Sequence, residues 1–199
     1  MMHKATEVIS ETFDRYNVKY RIIEEDKLSL VEAGYNIEGG PSVRILYLST
    51  DEGNDVQVRI LGLMNKVPAE KRSAVLEVCN RINSEMRFFK FYLDKDRDLM
   101  ALYDLPARGA EENIGECSFE MFIRATQILN KCYHYIPEAV YGTSPDEKEK
   151  AFSDALSALK YLREHPIAIP PKIPIPSERA GSMVPAFHAL AMKFIRRKP

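Results

Sequence analysis

No run in this 199-residue chain approaches the ~20 apolar residues that a membrane-spanning helix needs. The opening stretch MMHKATEVISETFDRY also lacks the apolar centre of a secretory signal, so a cytoplasmic location is expected. Cysteine is scarce: Cys79, Cys117 and Cys132 form no CxxC pair, and their odd number and wide spacing argue against a disulfide framework and a zinc site. Cys79 and Cys132 fall on apolar helix faces and read as reduced core thiols. There is no GxSxG, HExxH, phosphate-binding loop or GxGxxG. None of His3, His134, His165 and His188 pairs with a cysteine or carboxylate at metal-ligand spacing. The acidic clusters at 111–113 and 146–148 read as a solvated loop and a helix start. These absences lead to an expectation of no catalytic residues, no cofactor and no metal.

Hydrophobic content of 45% and charged content of 29% fit a soluble globular protein with a real core. The net charge of −1 hides an asymmetry. Residues 165–199 hold six Lys/Arg against one Glu, or +5, leaving 22 basic and 28 acidic residues, or −6, on 1–164. That acidic body carries no basic patch interleaved with aromatics, which opposes nucleic-acid binding. Seven of the twelve prolines follow position 164, so structure is expected to change there as well.

Along the chain, Ile9, Phe13 and Tyr16 mark a helix over 4–16. Extended segments follow at 20–25, 28–34, 43–50 and 56–64, the last two joined by the hairpin loop DEGND. Pro68 suits the first turn of a second helix, whose stripe is Val75, Cys79, Ile82 and Met86. Strands at 88–94 and 99–106 form a second hairpin. Ser118 is the expected cap of a third helix, which Pro137 should end. SPDE at 144–147 is a capping box with proline at the first helical position, opening a fourth helix that stops at Pro166.

Several strands carry apolar groups on both faces. In FFKFYL, Phe89, Phe91 and Leu93 should oppose Phe88, Lys90 and Tyr92. VRILYL and LMALYDL behave alike. An antiparallel sheet covered by helices on one side should be polar on the other. Burying an aromatic contributes roughly 1.5–3 kcal/mol, so the second face calls for a cover. The candidates are another subunit, the C-terminal segment or a ligand.

Asn80 and Asn83 stand at the end of the second helix, just before the most aromatic strand. Asparagine is common at helix ends, and that is the plainer account. The other is that the amides satisfy polar groups at a boundary.

The helix ending CNRINSE, the hairpin FKFYLDKDRDLMALYDLP and the closing helix ending YHYIPEAVYG together resemble the YbjN family over residues 1–142. That family is described as a sensory transduction regulator and has a fold similar to type III secretion chaperones. The resemblance implies an α+β domain, an antiparallel sheet flanked by helices, that forms a homodimer. It brings no catalytic motif. It also implies an interface or partner-binding surface near helix 68–86 and strand 88–94, with Val75, Cys79, Asn80, Ile82, Asn83, Met86, Phe88 and Tyr92 as candidates.

Beyond the YbjN-like span, 143–165 should add a helix, and 166–199 a proline-rich linker and a basic amphipathic helix. IAIPPKIPIP (167–176) cannot be helical and should be extended, partly polyproline II. Phe187, Leu190, Phe194 and Ile195 share one face of the last helix. This tail can pack on its own body or a partner subunit, bind an acidic protein surface, or lie on a membrane. Opposite charges on tail and body favour the first, and one short basic helix attaches weakly to lipid. Those four residues are a candidate intramolecular plug. The expected function is non-enzymatic protein binding, chaperone-like or regulatory, with an unidentified protein partner. The alternative is a sensory regulator that binds a small apolar ligand between sheet and helix.

Overall fold

The computed structural model describes residues 2–50, 55–107 and 113–165. The first helix, α1 (Lys4–Arg15), turns Ile9 and Phe13 inward. It stops where Asn17 takes a left-handed φ of 53°. Four strands then run as a meander: β1 (Tyr20–Glu25), β2 (Leu28–Asn36), β3 (Ser42–Thr50) and β4 (Asp55–Met64). Ala69–Lys71 makes a single 3₁₀ turn and leads into α2 (Arg72–Glu85). A short hairpin follows, β5 (Lys90–Leu93) and β6 (Leu99–Pro106). Three helices complete the described chain: α3 (Ile114–Cys132), α4 (Tyr135–Tyr141) and α5 (Pro145–Glu164).

The six strands form one antiparallel sheet in the order β1-β2-β3-β4-β6-β5. The expected α+β class, an antiparallel sheet flanked by helices, is therefore what the chain adopts. Late-arriving β6 pairs with β4, which pushes β5 out to an edge. Near its end β4 bulges between Ile60 and Met64, and Gly62 there has a φ of 88°, a conformation that side chains disfavour. The extra residue lets Leu63 rejoin Ile60 in the core.

Val31, Tyr47, Val58 and Tyr103 lie side by side on the inner face of the sheet. Helices α1 and α3 cover that face. Phe13 packs edge-on against Tyr47, with ring centroids 5.4 Å apart, and the fully buried Tyr47 hydroxyl donates to the Ser118 carbonyl at 3.1 Å. The two helices approach closely because Gly115 has no side chain: a Cβ there would sit 2.1 Å from Thr12 Oγ1. Tyr16 stacks flat on Phe119 at 3.8 Å across the same seam.

Three local expectations are corrected. Helix α3 begins four residues before Ser118, whose buried side chain caps nothing; the helix starts at Ile114 because the loop before it already turns into helical geometry at Asn113. Pro137 does not terminate a helix. The chain breaks at Tyr133–His134 and restarts, so Pro137 falls in the first turn of α4, where a missing N–H removes no helical bond. The strand expected from 88 starts only at Lys90, and Phe88 and Phe89 precede it. The capping box of α5 forms as expected: Ser144 Oγ accepts from the Glu147 N–H at 3.1 Å, and Glu147 accepts from the Ser144 N–H at 2.8 Å.

Candidate functional site

Edge strand β5 carries outward-pointing backbone groups that would template another strand. Asn83, two residues before the end of α2, closes them. Its Nδ2 donates to the Phe91 carbonyl and its Oδ1 accepts from the Phe91 N–H, both at 2.8 Å. The side chain thus imitates one rung of a neighbouring strand. Lys90 reaches back in return, and its Nζ donates to the carbonyls of Asn83 and Met86. Those carbonyls stand in the last turn of α2 and at the residue that caps it, where a cation is favoured by the unpaired acceptors. Asn83 and Lys90 therefore tie helix end and strand together in both directions.

The other candidates divide by position. Val75, Cys79, Ile82 and Met86 are buried, 6% exposed or less, in the chain's own core. Helix α2 meets β5, α4 and α5 along that side. Burial pushes the Cys79 thiol up to about 11 and the Cys132 thiol up to about 12, so both are held protonated. Asn80 is exposed on the flank of α2, away from Asn83's tie. Phe88 is 40% exposed. It does not share a face with Lys90 and Tyr92, because residues outside the strand escape its alternation; its ring instead packs edge-on against inner-face Tyr103 at 5.6 Å. Tyr92 is half-buried opposite Met100 on the outer face. Phe187, Leu190, Phe194 and Ile195 lie outside the described residues.

The outer sheet face is the larger feature. The register lines up Glu32, Leu46, Arg59, Leu102 and Lys90 in one row. Leu30, Leu48, Gln57 and Asp104 form the next. Leu46, Leu48, Leu61, Met100 and Leu102 are half-buried, and none belongs to the core on the Tyr47 side. Among the described residues no helix covers them, since α1 and α3 meet the sheet from the opposite side. Charges frame the patch: Arg21 pairs with Glu32 at 2.9 Å, and Arg59 donates to Gln57 at 2.8 Å. Such a surface offers apolar contact edged by polar groups. No group of three or more His, Cys, Asp or Glu among the described residues is placed to hold a metal ion, and no described helix is long and apolar enough to cross a membrane.

A family model described as "putative bacterial sensory transduction regulator", YbjN, matches residues 5–131. The chain belongs to the YbjN family. No curated protein matches it. The YbjN span stops within α3, yet helices beyond it finish the same core. Ala151, Phe152 and Leu159 of α5 are buried with the rest. Arg81 of α2 clamps α5, giving paired bonds of 3.1 Å to the Glu149 carboxylate while its guanidinium lies 3.7 Å over the Phe152 ring. Arg163 of α5 also reaches Glu85 of α2 at 3.6 Å. The Arg81 guanidinium holds the Glu149 carboxyl below the usual carboxylate range. The roles of Arg81 and Lys90 leave no local sequence signal, because their partners come from separate elements or from backbone.

Proposed function

We propose that the chain is a non-enzymatic regulator that binds polypeptide through the outer sheet face. The observation that carries this reading is the half-buried set Leu46, Leu48, Leu61, Met100 and Leu102, standing apart from the core with no described helix above it. Apolar contact of this kind suits an extended or helical segment of a protein partner. Membership in a family described as a regulator supports it. Phe13, Ile45, Tyr47 and Ile60 are buried between sheet and helices, and their packing there favours a surface partner over a small ligand held in that layer. A homodimer belongs to the same proposal, with contact at the exposed flank of α2 around Asn80 and the Phe88 ring.

The test is capture of a peptide array rich in apolar extended sequences by the full chain and by Leu48→Asp/Leu102→Asp. These positions lie outside the core, so circular dichroism should show an unchanged fold. Loss of capture by at least about tenfold in the double variant supports the reading, the loss expected from removing roughly 1.4 kcal/mol of contact. Equal capture by both proteins refutes it. A light-scattering mass of a single chain removes the dimer.

A further inference from the structure

The two edges of the sheet differ. At β5, Asn83 occupies the outward groups of Phe91, whereas among the described residues no strand lies on the free side of β1 (Tyr20–Glu25). We infer that β1 is a self-association edge: β1 of a second copy pairs with it antiparallel, about a two-fold axis at Ile22, and joins the two sheets into one. Neither the outer face nor the α2 flank takes part in this contact.

Three observations carry the inference. The first is the open edge. Alternate residues of an edge strand point their N–H and C=O groups away from the sheet, and β1 offers six residues of such strand. The second is an apolar row that runs out to that edge. Tyr103, Val58, Tyr47 and Val31 of the inner face continue across the register to Ile22, which is 38% exposed. In the joined sheet Ile22 meets Ile22 of the second copy, and the row passes through both sheets.

The third is the order of charge along the edge. Lys19 and Arg21 are basic, Ile22 and Ile23 apolar, Glu24 and Glu25 acidic. An edge guarded by charge of one sign repels its copy; an edge split in sign matches a copy that runs the other way. Opposed residues must share a face, so their numbers differ by an even count. A centre at Tyr20 sets Arg21 against Lys19, and a centre at Arg21, Glu24 or Glu25 sets like charges on the axis. A centre at Ile23 sets the exposed Ile22 against Glu24. The centre at Ile22 sets Lys19 against Glu25 on both sides of the axis and opposes no like charges. Arg21 keeps its own Glu32, at 2.9 Å, in this arrangement. A ladder from Lys19 to Glu25 buries less than the roughly 1,200 Å² at the low end of standard interfaces, so single and paired chains should exchange with concentration.

The experiment is sedimentation equilibrium of the full chain over a wide concentration range, with circular dichroism on every variant. Lys19→Glu and Glu25→Lys, both at exposed positions, should each raise the dimer dissociation constant at least about fivefold, since each sets two like-charge pairs across the seam. Together in one chain they reverse the pair and should return the constant to within about twofold of the native value. Ile22→Lys puts a charge on the axis and should leave a single chain at every concentration. A native protein that stays a single chain overturns the seam. Charge variants that all bind like the native chain, or a double variant as weak as the single ones, do the same. So does a dimer that survives Ile22→Lys but is lost in Asn80→Arg, which leaves the α2 contact standing. Peptide capture by the outer face is read separately, because none of these positions belongs to its patch of leucines and Met100.

Discussion

Replacing Asn83 with alanine removes both bonds to Phe91, each 2.8 Å long. A net side-chain hydrogen bond contributes about 0.5–1.5 kcal/mol, so the pair is worth at most about 3 kcal/mol. The Phe91 groups lie on an edge where water can reach them once the amide is gone, which places the loss nearer 1–2 kcal/mol. That is roughly a 5- to 30-fold fall in the folded-to-unfolded ratio. Urea unfolding measures the stability, and residue-resolved hydrogen exchange measures the Phe91 amide directly. Asn83→Ala should bring Phe91 exchange close to that of an open edge while the neighbouring β6 amides keep their protection. Asn83→Asp separates the two bonds. The introduced carboxylate still accepts from the Phe91 N–H but turns a second oxygen toward the Phe91 carbonyl, and only its protonated form restores a donor. That variant should approach the native protein in acid and fall behind as pH rises through the carboxylate range. Asn80→Ala, on the exposed flank, should stay within about 0.5 kcal/mol of the native protein. Full protection of Phe91 in Asn83→Ala, or equal costs at 80 and 83, would refute the edge-closing role.

Other consequences are as direct. A chain stopped after Gly142 loses the buried Phe152 and Leu159, and each large apolar side chain contributes roughly 1.5–3 kcal/mol, so its thermal melt should lose cooperativity; a stop after His165 should not do this. Gly115→Ala forces a Cβ to within 2.1 Å of Thr12 Oγ1 and 2.8 Å of the Val8 carbonyl, and should lower stability by about 1–3 kcal/mol in urea. Ellman's reagent at pH 8 should titrate only the exposed Cys117 in the native chain and all three thiols in denaturant. The Thr143 hydroxyl, then the Ser144 N–H and hydroxyl, hold the Glu147 carboxyl below its ordinary range. Its contribution is therefore complete above the unfolded carboxylate pKa and fades as pH falls through the lower folded value. Ser144→Ala should cost about 1 kcal/mol at neutral pH and narrow that acid-side loss, as read from melts at several pH values.

Much of this architecture is legible because burial imposes a period on the sequence. Alternation in VRILYLST and VQVRILGLM places β3 and β4 within a residue of their observed ends. Proline and the capping box mark the start of α5 for the same local reasons that they stabilise it. Signals fail where tertiary partners decide. Ser118 has a good capping side chain, yet Gly115 lets α3 begin earlier by packing against Thr12 of α1, a residue about a hundred positions away. The stripe Val75–Met86 is legible as apolar, but not what covers it, and its own chain supplies β5, α4 and α5. The apolar outer face is already visible in the sequence, in strands such as VRILYL and LMALYDL that carry apolar groups on both sides. The closing of the β5 edge is not, because an asparagine near a helix end looks alike whether it faces water or a strand.

The strand order has a consequence for how the molecule can be taken apart. Strands β1 to β4 are joined by successive hairpins, whereas β6 meets β4 only after the excursion through α2 and β5. The halves on either side of Asn65 are thus each continuous, and they meet along the β4–β6 ladder, at the α1–α3 contact with its stacked Tyr16 and Phe119, and where α3 lies on the sheet at the Tyr47–Ser118 bond. A chain severed at that exposed position has the makings of a complementing pair, two fragments that regain one sheet only when they meet.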